Sequence, residues 1–71
     1  MRLSYDPETD SLYIHLSDLA STDSDEVSED VVLDYTADGK LVGIDVQHAS
    51  RNVDIDRLMV SRLPFHQLEA A

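Results

Sequence analysis

Leu3 and Tyr5 alternate with Arg2 and Ser4, and Leu12, Ile14 and Leu16 alternate with Tyr13 and His15. A period of two marks a strand with one face against a core, because successive side chains point to opposite sides. Between the two runs stands Asp6-Pro7-Glu8-Thr9-Asp10-Ser11. Pro7 fixes φ and has no N–H to donate, and the Asp6 and Asp10 carboxylates can accept from nearby backbone amides. The segment therefore predicts a turn, and the two runs an antiparallel hairpin.

Alternation stops over residues 17–30, where Ser, Thr, Asp and Glu surround Leu19 and Val27. This predicts a loop or ragged edge, with a strand beginning at Val27 as the alternative. A second hairpin follows. Val31, Leu33 and Tyr35 share one face against Val32 and Asp34, while Val42, Ile44 and Val46 share a face against Leu41, Gly43 and Asp45. Asp38-Gly39 between them is a strong hairpin signal, since Gly takes positive φ without steric cost. Gly43 inside a strand costs entropy unless another group packs close above it, and so marks the place of a covering element.

After Gln47 the period changes. Val53, Ile55, Leu58, Met59 and Leu63 fit in part an amphipathic helix over residues 55–62, with Asp54 or Asp56 as N-cap and Pro64 as the stop. Residues 64–71 are expected as a tail, anchored only by Phe65 and Leu68, that frays or docks on another subunit. The predicted fold is α+β, one domain over residues 1–71. It is a small four-stranded antiparallel sheet, two sequential hairpins, with a short C-terminal helix covering one face.

Length narrows the picture. A 71-residue chain holds one domain with a thin core, since domains this small bury only about 60% of the surface exposed when unfolded. There is no Cys, hence no disulfide frame and no thiolate chemistry. Oligomerisation is the expected reinforcement, and a homo-oligomer the expected state. No apolar stretch approaches the roughly 20 residues that span a bilayer, and no basic segment followed by an apolar run opens the chain. The expectation is a cytoplasmic protein with no membrane partner.

Charge narrows it further. Fifteen Asp and Glu stand against five Lys and Arg, for a net charge of −10. Phosphate backbones repel such a surface and the cations form no stripe, so no nucleic acid is expected. A basic protein partner is attracted. The excess of Asp over Glu, and of Arg over the single Lys40, fits a salt-adapted host equally well, where self-repulsion is screened.

Candidate chemistry is sparse. Tyr13 and His15 project from one face of the second strand, across from Arg2 and Ser4, and near Asp34 and Asp45 if the two hairpins join. A His, a Tyr and two carboxylates on one polar face can perform acid/base work. The same residues equally form the ordinary polar side of a sheet or a subunit interface, which is the expectation here. If Asp34 and Asp45 meet across the second hairpin, they repel unless solvent or a cation intervenes.

The acidic run has Asp23 and Asp25 but Val27 at the third position and no Gly after it, so it fails as an EF-hand loop and predicts a solvated segment. His15, His48 and His66 offer no pair at i and i+4, so no metal centre is assigned. Gly39 and Gly43 lie in a hairpin with no helix N-terminus following, so there is no phosphate loop. No catalytic, cofactor-binding or metal-ligating residue is assigned.

Taken together, "YDPETDSLYIHL" and "VVLDYTADGKLVGIDVQHAS" resemble the DUF2283 family of small bacterial and archaeal proteins. Its members carry a tyrosine, an aspartate and a turn before a Leu-Tyr-Ile strand, then an Asp-x-x-Gly-x-x-x-Gly-Ile-Glu type hairpin leading into a short Ala-Ser segment. Tyr5, Asp6, Asp10, Leu12, Tyr13, Ile14, Asp34, Gly39, Gly43, Ile44, Asp45, Ala49 and Ser50 stand at matching places, over residues 3–50. Asp45 departs from the family's more usual Glu, and the stretch after Ser50 does not match. The resemblance brings no assigned activity. It implies, from members beside small toxin-like proteins, an antitoxin or accessory role.

The function expected is therefore a small acidic protein-interaction module, antitoxin-like toward a basic partner, and not an enzyme. The alternatives are a self-assembling structural homo-oligomer, or an enzyme with a subunit-interface site near Tyr13 and His15.

Overall fold

The computed structural model describes residues 1–62, 64 and 69. It holds five strands, β1 (Arg2–Asp6), β2 (Ser11–His15), β3 (Asp23–Ser28), β4 (Val31–Tyr35) and β5 (Leu41–Val46), followed by one helical turn, α1 (Ala49–Asn52). All pairs are antiparallel, in the order β1-β2-β5-β4-β3. The four-stranded α+β expectation is thus corrected to a five-stranded, nearly all-β sheet.

Both predicted hairpins are present. β1 pairs β2 with Leu3 opposite Ile14 and Ser4 opposite Tyr13. β4 pairs β5 with Leu33 opposite Ile44 and Val32 opposite Asp45. The second turn is longer than a two-residue link: Thr36 N–H donates to Lys40 O at 2.8 Å and Gly39, at φ 88°, donates to Thr36 O at 3.0 Å. The Thr36 hydroxyl also bonds the Asp38 carboxylate. The hairpins join through β2 and β5, with Tyr13 opposite Asp45 and Ile14 opposite Ile44.

The added strand is β3, where a loop was expected. It pairs β4 with Asp25 opposite Leu33 and Ser24 opposite Asp34, with a bulge between Glu26 and Ser28. Its side chains are exposed throughout, so no apolar alternation is demanded of it. Acidic residues and a bulge on an edge strand discourage pairing with other chains.

The predicted helix over residues 55–62 is absent; the only described helix is α1, before it. Val53 is already extended, at φ −138°, and Leu58 and Met59 are 65% and 81% exposed. An isolated helix this short is marginal unless one face packs, and among the described apolar residues here only Val53, Ile55 and Leu58 stand beside the sheet, around an open groove. The tail expected over residues 64–71 falls largely outside the described residues.

Opposed residues share a face, so the register defines two surfaces. On one, Leu3, Ile14, Ile44 and Leu33 run in a row that ends at Asp25, beside a second row of Tyr5, Leu12, Val46 and Val31. On the other, Arg2, His15, Gly43, Asp34 and Ser24 form one row, flanked by Ser4, Tyr13, Asp45, Val32 and Glu26. Among the described residues only Val42, Val46 and Ala49 are buried apolar positions, and no large side chain is fully enclosed. Among the described residues the apolar face therefore has no second layer over most of its area.

Candidate functional site

The polar face is organised around one diagonal contact. Tyr13 and Asp34 lie on β2 and β4, with β5 between them. Tyr13 leans across Gly43 and donates its hydroxyl to Asp34 Oδ2 at 2.6 Å, while the Ser24 hydroxyl donates to Asp34 Oδ1 at 2.7 Å. The covering element that Gly43 signalled is this ring: a Cβ on Gly43 would overlap the hydroxyl and stand 2.9 Å from Cε2. Tyr13, Asp34 and Ser24 thus tie four strands together across the sheet.

Electrostatics follow from these bonds. The Ser24 and Tyr13 hydroxyls hold the Asp34 carboxyl below its ordinary 3.8, against the opposing effect of burial. The same bond to Asp34, with burial and the Asp34 and Asp45 charges, pushes the Tyr13 phenol up to about 12. Asp34 is therefore an ionised acceptor and Tyr13 a neutral donor across the physiological range. Asp34 and Asp45 stand on different rows, with Tyr13 beside both, which replaces the direct repulsion considered from the sequence.

His15 stacks edge-on against Tyr13, ring centroids 4.4 Å apart at 70°. It borders an open hollow of about 260 Å³ shared with Arg2, Leu16, Ser17 and Asp18. Tyr13 and His15 do share a face, and Arg2 and Ser4 do stand across from them. No carboxylate among the described residues hydrogen-bonds the His15 ring, and the Tyr13 hydroxyl is committed to Asp34. The arrangement is a cross-strand brace.

A second polar cluster fixes the chain after β5. Asp10, at φ 54°, accepts from the Tyr5 hydroxyl at 2.7 Å, from the Ser50 hydroxyl at 2.7 Å and from the Ser50 N–H at 3.1 Å, while its carbonyl accepts from the Ala49 N–H at 2.8 Å. Its carboxyl is lowered mainly by Ser50 and then Tyr5. Asp30 accepts from Asn52 Nδ2 at 2.9 Å, lies 3.0 Å from His48 Nδ1, and is lowered by both. Two turn aspartates thereby clamp α1 onto the sheet. Asp10 was legible only as a turn residue, because Ser50, the partner that makes it a clamp, lies 40 positions further on.

On the apolar face, residues 53–58 border a shallow groove of about 360 Å³, lined by Leu3, Tyr5, Leu12, Val53, Ile55 and Leu58. Leu3 and Tyr5 remain 43% exposed. No group of three or more His, Cys, Asp or Glu suited to a metal ion occurs among the described residues. No helix among them is long and apolar enough to cross a membrane.

A family model matches residues 2–50, that of the protein of unknown function DUF2283, and the chain belongs to this family. The match takes in every strand, the Asp10 clamp and the Tyr13–Asp34 brace, and stops inside α1, short of the Asn52 that holds Asp30. No curated protein and no solved structure matches the chain.

Proposed function

We propose that this DUF2283 protein is a docking module whose apolar sheet face receives a partner protein presenting an apolar surface with a basic rim. The observation that carries the reading is the row Leu3, Ile14, Ile44 and Leu33, exposed at Leu3 and half-buried at the other three, which no second sheet covers among the described residues and which ends at the Asp25 carboxylate. An exposed apolar patch rimmed by polar residues marks an interaction surface. Asp23 falls on the same face by alternation with Asp25, so carboxylates flank the patch along β3. With a net charge of −10, encounter with a basic partner is steered and an acidic one is rejected. An antitoxin-like role is one form of this reading.

The polar face argues for structure rather than turnover. The Tyr13 phenol is held protonated up to about 12, and Asp34 already accepts from two side-chain hydroxyls. A general base needs a pKa near the working pH, which neither group has.

The test captures partners from the native lysate on the tagged full chain, on Leu33→Lys and on Asp25→Asn, and then titrates the purified partner at several salt concentrations. Support is a stoichiometric basic protein that is lost on Leu33→Lys, and whose affinity falls with salt and on Asp25→Asn. A partner retained equally by Leu33→Lys, or one of acidic composition, overturns the reading.

A further inference from the structure

The sheet has two free edges of opposite character. β3 carries Asp23, Asp25 and Glu26 and a bulge, which discourage pairing. β1 is a regular five-residue strand, Arg-Leu-Ser-Tyr-Asp, exposed at every position and, among the described residues, paired only with β2. Its unpaired backbone groups form a template for another strand. Its sequence is also complementary to itself. Laid antiparallel on a second copy about Ser4, it sets Arg2 opposite the partner's Asp6, and Leu3 opposite the partner's Tyr5.

We propose that β1 pairs with β1 of a second copy across a twofold axis through Ser4, joining two sheets into one of ten strands. The Arg2 side chain makes no ion pair or hydrogen bond among the described residues of a chain with fifteen acids. In the dimer it meets the partner's Asp6, and symmetry repeats the pair. Asp6 gives one oxygen to the Glu8 N–H at 3.0 Å, which leaves the other free. Opposite charges directly across an antiparallel pair favour the register.

The charge distribution fits this geometry. Within one copy β1 and β3 are four strand spacings apart, about 19 Å, which exceeds the screening length of about 8 Å at physiological ionic strength. Pairing at β1 sends the two acidic β3 edges to opposite ends of the joined sheet. Only one edge is open, so pairing closes as a dimer rather than propagating as a filament. A twofold axis normal to the sheet keeps both apolar faces on one side, so the dimer presents a doubled docking surface. The pairing rests on the β1 edge alone and stands whether or not that surface has a partner.

The test is sedimentation of the full chain from about 1 μM to about 1 mM, the range in which a small edge interface associates, for wild type, Arg2→Asp, Asp6→Arg and the double swap. Circular dichroism checks that each variant is folded. The expected result is a monomer–dimer equilibrium that each single swap weakens about tenfold and the double swap restores, since two attractive pairs become two repulsive ones and then attractive again. Amide exchange in β1 slows with protein concentration. A monomer throughout the range overturns the proposal. So does a dimer unaffected by the swaps but lost on Leu33→Lys, which places the contact on the apolar face instead.

Discussion

The Tyr13 hydroxyl reaches Asp34 Oδ2 at 2.6 Å by passing over Gly43 on the strand between them. The contact exists because Gly43 has no side chain, so the three residues act as one unit. Gly43→Ala is expected to expel the ring and destabilise the fold by about 1–3 kcal/mol, the usual cost of overpacking. Tyr13→Phe keeps the ring and loses the bond, at about 1 kcal/mol. In a Tyr13→Ala background Gly43→Ala should cost much less, with a coupling of at least about 0.5 kcal/mol. Urea denaturation of the four proteins measures it, and strict additivity contradicts the arrangement.

The same unit sets the pH limits. Asp34, Asp10 and Asp30 all have carboxyls lowered from 3.8 by hydrogen bonds of the folded state. Their stabilisation is present above the unfolded value and is lost as pH falls through the folded values, so stability should hold down to about 4 and decline below it. Asp34→Asn should flatten part of that decline. At the alkaline end Tyr13 is raised from 10.0 to about 12; its contribution is complete below 10 and is lost as pH rises through about 12. The Tyr5 phenol is also raised, by its bond to Asp10, so ultraviolet titration of tyrosinate should show two delayed phenols, of which Tyr13→Phe removes the later.

How far the sequence revealed these features depended on whether a signal was local. Alternation gave β1, β2, β4 and β5 and their faces, because each puts its apolar side chains on one side of the sheet even where, as in β1, that side is exposed, and Gly43 announced the covering group that Tyr13 supplies. β3 was hidden because an exposed edge strand needs no apolar period; its pairing with β4 is a backbone property that Asp-Ser-Asp-Glu does not advertise. The helix over residues 55–62 was overestimated from apolar residues that in the fold pack on no continuous face. The bonds from Asp10 to Ser50 and from Tyr13 to Asp34 are long-range, and turn chemistry or strand polarity alone points to neither.

Asp10 offers a way to separate backbone from side-chain roles. Its positive φ favours Gly, whereas its carboxylate holds Ser50 and Tyr5. Asp10→Gly keeps the backbone conformation and removes the clamp; Asp10→Ala removes the clamp and strains the turn as well. Both should speed exchange of the Ser50 amide severalfold, and Asp10→Ala should additionally speed exchange across the β1–β2 turn. Unchanged Ser50 exchange in Asp10→Gly would show that α1 is held from elsewhere.

The acidic edge can be tested by removing its charge. Asp23 and Asp25 lie on the apolar side of β3, opposite Tyr35 and Leu33. Asp23→Val with Asp25→Val turns β3 into an apolar edge continuous with the Leu33 row, at the cost of two charges that keep copies apart. The β3 edge then matches the pattern of an aggregation-prone strand, with high β-propensity and little charge. Light scattering should show the double variant associating without limit, in contrast to the closed species expected from β1. Adding salt to the wild type should not reproduce this, because salt screens repulsion yet leaves the carboxylates to be desolvated on any pairing. A double variant as well behaved as wild type would mean that the Glu26–Ser28 bulge alone protects the edge.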